Sequence, residues 1–178
     1  MNINIPGDAF FYIALICYLY LIYKIISNRK QRNKISELVL ILFGIYIIKV
    51  LSLVFFPILI AKGVNVNPTV WLNPMDSIKY IVKSNTLYGI TYNIGGNLLL
   101  LMPLPVFLVY FFKDKVDSLK RILLICFFVS LSIECLQYLE SIIIPSVGRF
   151  FETNDMILNT FGAGFGYIIY DKYLRKIL

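Results

Sequence analysis

Residues 122–141 read ILLICFFVSLSIECLQYLES. An α-helix needs about 20 mainly apolar residues to cross the hydrocarbon core of a bilayer, and this stretch supplies them. Its polar residues are ordered. Ser130, Glu134, Gln137 and Ser141 follow i, i+4, i+7 and i+11, which draws one stripe along one helix face. A helix with that pattern turns its apolar sides to lipid and its stripe to other helices.

Working outward, four further apolar blocks appear. Ala9–Ser27, Glu37–Ala61 and Asn93–Phe112 precede the quoted stretch, and Asp155–Tyr170 follows it. Together they predict an all-α, polytopic membrane bundle of about five transmembrane helices, as one membrane domain over 1–178. The composition agrees, with 59% hydrophobic and 15% charged residues. A soluble domain of this size could not hide so much apolar surface. The first 23 residues contain no Lys or Arg, and no small-x-small cleavage site follows. The first block therefore reads as a retained span, not as a signal peptide.

The net charge of +7 sits in short clusters between the blocks, a topology signal and not a nucleic-acid surface. One set of flanks carries Arg29, Lys30, Arg32, Lys34, Lys113, Lys115, Lys120, Arg121, Lys172, Arg175 and Lys176. The other carries Lys62, Lys79, Lys83 and Arg149. Excess Lys and Arg marks the cytoplasmic side, so the N-terminus is expected outside and the C-terminus inside. The short inner connections make the first two spans, and the third and fourth, antiparallel neighbours. In the outer connection Lys62–Tyr92, Asn73-Pro74-Met75-Asp76 has the form of a helix start: a cap, a proline at the first position and an acid in the first turn. A short interfacial helix through about Lys83 is expected. Trp71, Ile78, Tyr80 and Ile81 suit the headgroup layer.

With no histidine, the chain lacks Ser-His and Cys-His catalysis and His-metal chemistry. Cys17, Cys126 and Cys135 all lie in apolar blocks and form no CxxC pair, so neither a disulfide framework nor a metal site is expected, and no cofactor. The chemistry-bearing residues are the polar ones inside the spans. Asn93 and Asn97 share a face of the third span. Asp155 and Asn159 share a face of the fifth, which continues as Gly162 and Gly166. Asn97, Asn159, Gln137 and Glu134 lie four to seven residues from the outer ends of their spans, roughly 6 to 10 Å deep at about 1.5 Å per residue. Facing these stripes inward gives a small polar cavity or a hydrogen-bonded knot.

The amides could serve only as interhelical glue. Glu134 is harder to dismiss, because a carboxyl at that depth must be protonated, paired or wetted. Lys49, near the middle of the second span, could be its partner. Gly162, Gly164 and Gly166 predict close helix packing. Pro103 and Pro105 predict a kink or local unwinding in the third span. Arg149, Glu152 and Asp155 form either a solvated, mutually paired loop or a polar rim, with the Arg149 fork suited to phosphate or carboxylate.

These residues resemble a known family. Asn93-Ile-Gly-Gly-Asn97-Leu-Leu-Leu-Leu-Met-Pro103 is similar to the Asn-x-x-Gly-Asn-x-x-x-Phe-x-Pro motif of VanZ-like proteins. Ser132-Ile-Glu134-Cys-Leu-Gln137 is similar to their Ser-x-Glu-x-x-Gln motif. Gly148-Arg149 and Asp155-Met-Ile-Leu-Asn159-Thr-Phe-Gly162 resemble their Arg…Asp-x-x-x-Asn-Thr-x-Gly motif, and Asn73-Pro74 loosely resembles an Asn-x-x-Pro segment. The resemblance covers about residues 50–170. Leu101 stands where phenylalanine is usual, and Pro105 replaces a usual glycine. The resemblance implies a multi-pass protein of the bacterial plasma membrane, in a family whose namesake is linked to resistance to teicoplanin-type lipoglycopeptides. It also implies a functional polar set of Asn93, Asn97, Glu134, Gln137, Arg149, Asp155 and Asn159.

Three functions fit. The first is a non-enzymatic membrane factor whose polar outer-leaflet site engages membrane lipid or a lipid-anchored drug. The second is an intramembrane enzyme acting on a lipid or a lipid-linked cell-wall precursor, with Glu134 and Asp155 as acid and base candidates. Against the enzyme, no nucleophile motif and no Gly-x-Gly-Asp signature is present. The third is a structural partner in an envelope complex.

Overall fold

The computed structural model describes residues 2–28, 33–84, 86–116 and 118–176. Arg29, Lys30 and Arg32 of the basic flank lie outside the described residues. The protein is 75% helical. It packs as two compact units, Met1–Asn65 and Val66–Leu178.

The first unit is a helical hairpin of α1 (Gly7–Ser27) and α2 (Lys34–Phe55). Asn33 caps α2 by accepting from the amides of Ile35 and Ser36. The helices are stitched at the Gly7 end and near the middle of α1: Ser52 donates to the Gly7 carbonyl at 2.8 Å, and Tyr18 to the Leu40 carbonyl at 2.6 Å. Beyond the Gly7 end, strands β1 (Ile3–Ile5) and β2 (Ile58–Ile60) pair antiparallel. These strands correct the second expected span, which ends at Phe55 and not at Ala61. Pro57 offers no N–H, and Phe56 before it is extended (φ −122°, ψ 156°), as a residue preceding proline prefers. Lys49 sits over the Phe11 ring, 5.0 Å from its centroid, within this hairpin.

The second unit contains β3 (Val70–Trp71), α3 (Pro74–Ser84), α4 (Leu87–Leu100), α5 (Leu104–Val116), α6 (Leu119–Ile143), β4 (Phe151–Glu152) and α7 (Thr153–Ile169), followed by a π-turn, Tyr170–Leu174. Helix α3 starts where the sequence placed it. The Asn73 side chain accepts from the Met75 amide at 3.1 Å and donates to Asp76 at 3.0 Å. Inside the third span, the chain breaks between α4 and α5. Leu104 and Val106 turn their amides to the carbonyls three residues back, Leu101 and Pro103. Pro103 and Pro105 cannot supply the amides that a continuous helix needs. The span also starts at Leu87, earlier than Asn93, with Thr86 as its cap.

Strands β3 and β4, absent from the all-α expectation, pair in parallel with Val70 opposite Phe151 and Trp71 opposite Glu152. Two-residue strands leave no periodicity to read. They tie the connection before α3 to the entry of α7. Helix α7 lies against α4, α5 and α6.

Among the described residues, four helical stretches are long and apolar enough to cross a membrane: Gly7–Ser27, Lys34–Phe55, Leu87–Lys113 and Leu119–Ile143. The fifth expected span is α7, which has 17 residues. At about 1.5 Å per residue it is roughly 25 Å long, against a hydrocarbon thickness near 30 Å. The chain is a multi-pass, all-α membrane protein.

Candidate functional site

The stripe on α6 is the spine of the polar region. Ser130, Glu134 and Ser141 are buried, and Gln137 is half-buried. Each of the three buried residues meets the chain that enters or begins α7. Asn159 donates its side-chain amide to Ser130 Oγ at 2.8 Å. The backbone amide of Glu152, the N-cap residue of α7, donates to Glu134 Oε2 at 2.9 Å. The Arg149 amide donates to Ser141 Oγ at 2.6 Å. Contacts that climb α6 as they descend the α7 segment make the two antiparallel.

Two more helices join. Asn97 of α4 hydrogen-bonds the Asp155 carboxyl on α7. Ser77 of α3 donates its hydroxyl to Glu152 Oε2. Glu134, Glu152 and Asp155 lie close enough for their charges to interact. The side-chain oxygens of Asn93, Asn159 (Oδ1) and Asp155 (Oδ1) are buried without a hydrogen-bond partner. An unmatched buried acceptor is costly, on the order of 1–3 kcal/mol, so such atoms are places where a donor would be welcomed.

Four of the seven sequence-selected residues therefore join one connected region: Asn97, Glu134, Asp155 and Asn159. There, side chains of α4, α6 and α7 meet through hydrogen bonds. Asn93 stands one turn before Asn97 on the same face of α4. Gln137 stays on the α6 stripe. Arg149 goes elsewhere. Its Nε lies 2.9 Å from Glu140 Oε2, with side-chain exposures of 19% and 12%. The planar fork expected for an external phosphate already holds a carboxylate of its own chain. Arg149→Ala leaves Glu140 as a mostly buried, unpaired carboxyl and should cost about 2–4 kcal/mol. The double variant with Glu140→Ala should recover part of the loss. Thermal unfolding of the four proteins in a double-mutant cycle reads this coupling.

Sequence reasoning missed Ser77 as a member of this region and Glu140 as the partner of Arg149. Glu140 follows Gln137 by three residues, which puts it beside the stripe. Ser77 and Ile81 are buried one turn apart on α3, a pattern visible once the capped start at Asn73 is accepted. Among the described residues, no His, Cys, Asp or Glu group is arranged to hold a metal ion. Chemically, the region offers carboxyls, amides and hydroxyls in a low-dielectric setting, which suits recognition of a polar group carried by an apolar molecule.

The family model described as VanZ/LLP1 matches residues 9–175. It extends the resemblance read from the motifs to include the α1–α2 hairpin. No curated protein and no solved structure matches the chain.

Proposed function

Since the chain belongs to the VanZ/LLP1 family, we propose that it contributes to resistance to teicoplanin-type lipoglycopeptides in the bacterial cell envelope. Its polar region would engage a lipid, or a ligand carrying a lipid anchor, from the outer leaflet of the plasma membrane. In this reading the whole chain is one membrane domain with five spans, α7 being the fifth. The N-terminus is outside and the C-terminus inside, as the Lys and Arg distribution favours. Helix α3 then lies in the outer headgroup layer.

The single observation that carries the reading is the joining of Asn97, Glu134, Asp155 and Asn159 from three helices, with acceptors on Asp155 and Asn159 still unmatched. Polar side chains that served only to bind helices together would be expected to satisfy one another. A lipid headgroup or drug that brings donors would complete them. Teicoplanin-type drugs carry an acyl chain, so a site at the level of the outer leaflet can intercept them. The test compares resistance to acylated and non-acylated glycopeptides in cells expressing the chain. Protection confined to acylated drugs, and lost in Asp155→Ala at unchanged protein level, is expected. Equal protection against both drug types would rule out recognition of a lipid anchor.

A further inference from the structure

The hydrogen bonds of the polar region use up its donors and leave acceptors over. Glu134 Oε2 takes the Glu152 backbone amide, Glu152 Oε2 takes the Ser77 hydroxyl, and the Asp155 carboxyl takes the Asn97 amide. Asn159, only 1% exposed, gives its side-chain N–H to Ser130. That bond holds the Asn159 amide on the α6 stripe one turn from Glu134, and on α7 it stands one turn from Asp155. Its Oδ1 therefore borders the carboxyls, and it is buried with no donor, as are Asp155 Oδ1 and Asn93 Oδ1. The Nδ2 of Asn154, on the neighbouring residue, is a lone unmatched donor against these acceptors. The charges that reach Glu134 are those of Asp155 and Glu152, both of its own sign. Among the described residues, no Lys or Arg pairs with any of the three carboxyls, and Arg149 is held by Glu140 at 2.9 Å.

We propose that the polar region binds the primary ammonium headgroup of a phospholipid. The proposal rests on the lipid-ligand reading above and names the headgroup chemistry. A primary ammonium brings several N–H donors and a positive charge, which are what this region lacks. A phosphate or carboxylate would instead add acceptors and like charge, leaving the buried oxygens unmatched. A bare divalent cation draws its oxygens in to about 2.0–2.6 Å. Among the described residues, no carboxyl group is arranged for that. An ammonium reaches its acceptors at about 2.7–2.9 Å and in several directions, so it suits oxygens spread over two helices. The source is membrane lipid because α4 and α6 belong to membrane-crossing stretches. Glu152 and Asp155 are part-exposed, so a headgroup can reach them. Gly96, beside Asn97, is exposed, and nothing lies within 4 Å of a Cβ added there, which leaves that flank of α4 open.

The test uses the full chain in phosphatidylglycerol nanodiscs that also hold equal amounts of phosphatidylethanolamine and phosphatidylcholine. Both added headgroups carry a cationic nitrogen, and only the first has N–H donors. Lipid retained by the protein after gentle extraction is identified by native mass spectrometry. Phosphatidylethanolamine is expected to exceed phosphatidylcholine about tenfold, the scale of one charge-assisted hydrogen bond. Asp155→Asn keeps the side chain's size and an acceptor for Asn97 but removes the charge, and should bring the two lipids to parity. Glu152→Gln serves the same purpose should the first variant fail to fold, since its backbone amide still serves Glu134. Asp76→Asn alters an exposed acid of α3 that faces Lys79 and should leave the preference unchanged. Parity in the wild type, undiminished preference in a folded Asp155→Asn or Glu152→Gln protein, or equal loss in Asp76→Asn overturns the proposal. Soluble glycerophosphoethanolamine has the headgroup without acyl chains and should not compete; full displacement by it overturns membrane lipid as the source. A preference that holds while protection is equal against acylated and non-acylated drugs keeps the ammonium site and removes the resistance reading.

Discussion

Gly162→Ala and Gly166→Ala are expected to leave little folded protein in the membrane, whereas Gly95→Ala and Gly96→Ala leave it intact. A Cβ at Gly162 would stand 1.8 Å from the Leu98 carbonyl oxygen, and one at Gly166 would stand 1.8 Å from that of Met102. Ordinary carbon–oxygen contacts between helices are about 3.3–3.6 Å, so α7 would have to part by about 1.5 Å from α4 at Leu98, or from the break after α4 at Met102. Neither obstacle is a side chain that can rotate away. Overpacking typically costs about 1–3 kcal/mol, and clashes with backbone belong at or above the upper end. The displacement would also strain the Asn97–Asp155 hydrogen bond, which spans the same two helices. Gly95 and Gly96 have nothing within 4 Å of an added Cβ, so alanine there should gain up to about 1 kcal/mol from helix propensity. Thermal melting in detergent, followed by size-exclusion profile, separates the two pairs. Equal stability of all four variants would mean that α7 does not cross α4 this closely.

The same four glycines show what a sequence can and cannot disclose. Gly162 and Gly166 were legible because their spacing repeats on a face already marked by Asp155 and Asn159. Gly95 and Gly96 lie in a recognisable motif, yet nothing in the described fold packs on them. Hydrophobic blocks located α1, α6 and the start of α2 within a few residues, since lipid-facing length is a bulk property of the chain. The start of α3 was readable because the Asn73 cap is local. The end of α2 was not, because a run of apolar residues through Ala61 hides the backbone consequence of Pro57. The β3–β4 pair joins residues some eighty positions apart through two backbone rungs, and its pattern has no side-chain signature. In the polar region, the α6 stripe was visible as periodicity. The choice of Glu140 as the partner of Arg149, and of Ser77 as the partner of Glu152, depends on where loops return.

Glu134→Gln should preserve the fold and abolish resistance, while Glu134→Leu should damage both. The carboxyl has a structural task that depends on one oxygen: Oε2 accepts the amide of Glu152 at the N-terminus of α7. Glutamine retains a carbonyl oxygen on a side chain of the same length, so that bond can persist. Leucine supplies no acceptor. The Glu152 amide would be left without this partner beside a site that is only 2% exposed at residue 134, at about 1–3 kcal/mol for the orphaned donor. Asn159 and Ser130 are one turn away on the same contact, so the damage should reach their 2.8 Å hydrogen bond. The informative variant is therefore glutamine, read by membrane abundance, melting temperature and survival under teicoplanin-type drug. A folded, abundant Glu134→Gln protein without resistance assigns the carboxyl a role beyond joining α6 to α7. Full resistance in that variant would leave Glu134 as a hydrogen-bond acceptor alone and shift the ligand-facing role to Asp155, whose Oδ1 is buried without a donor.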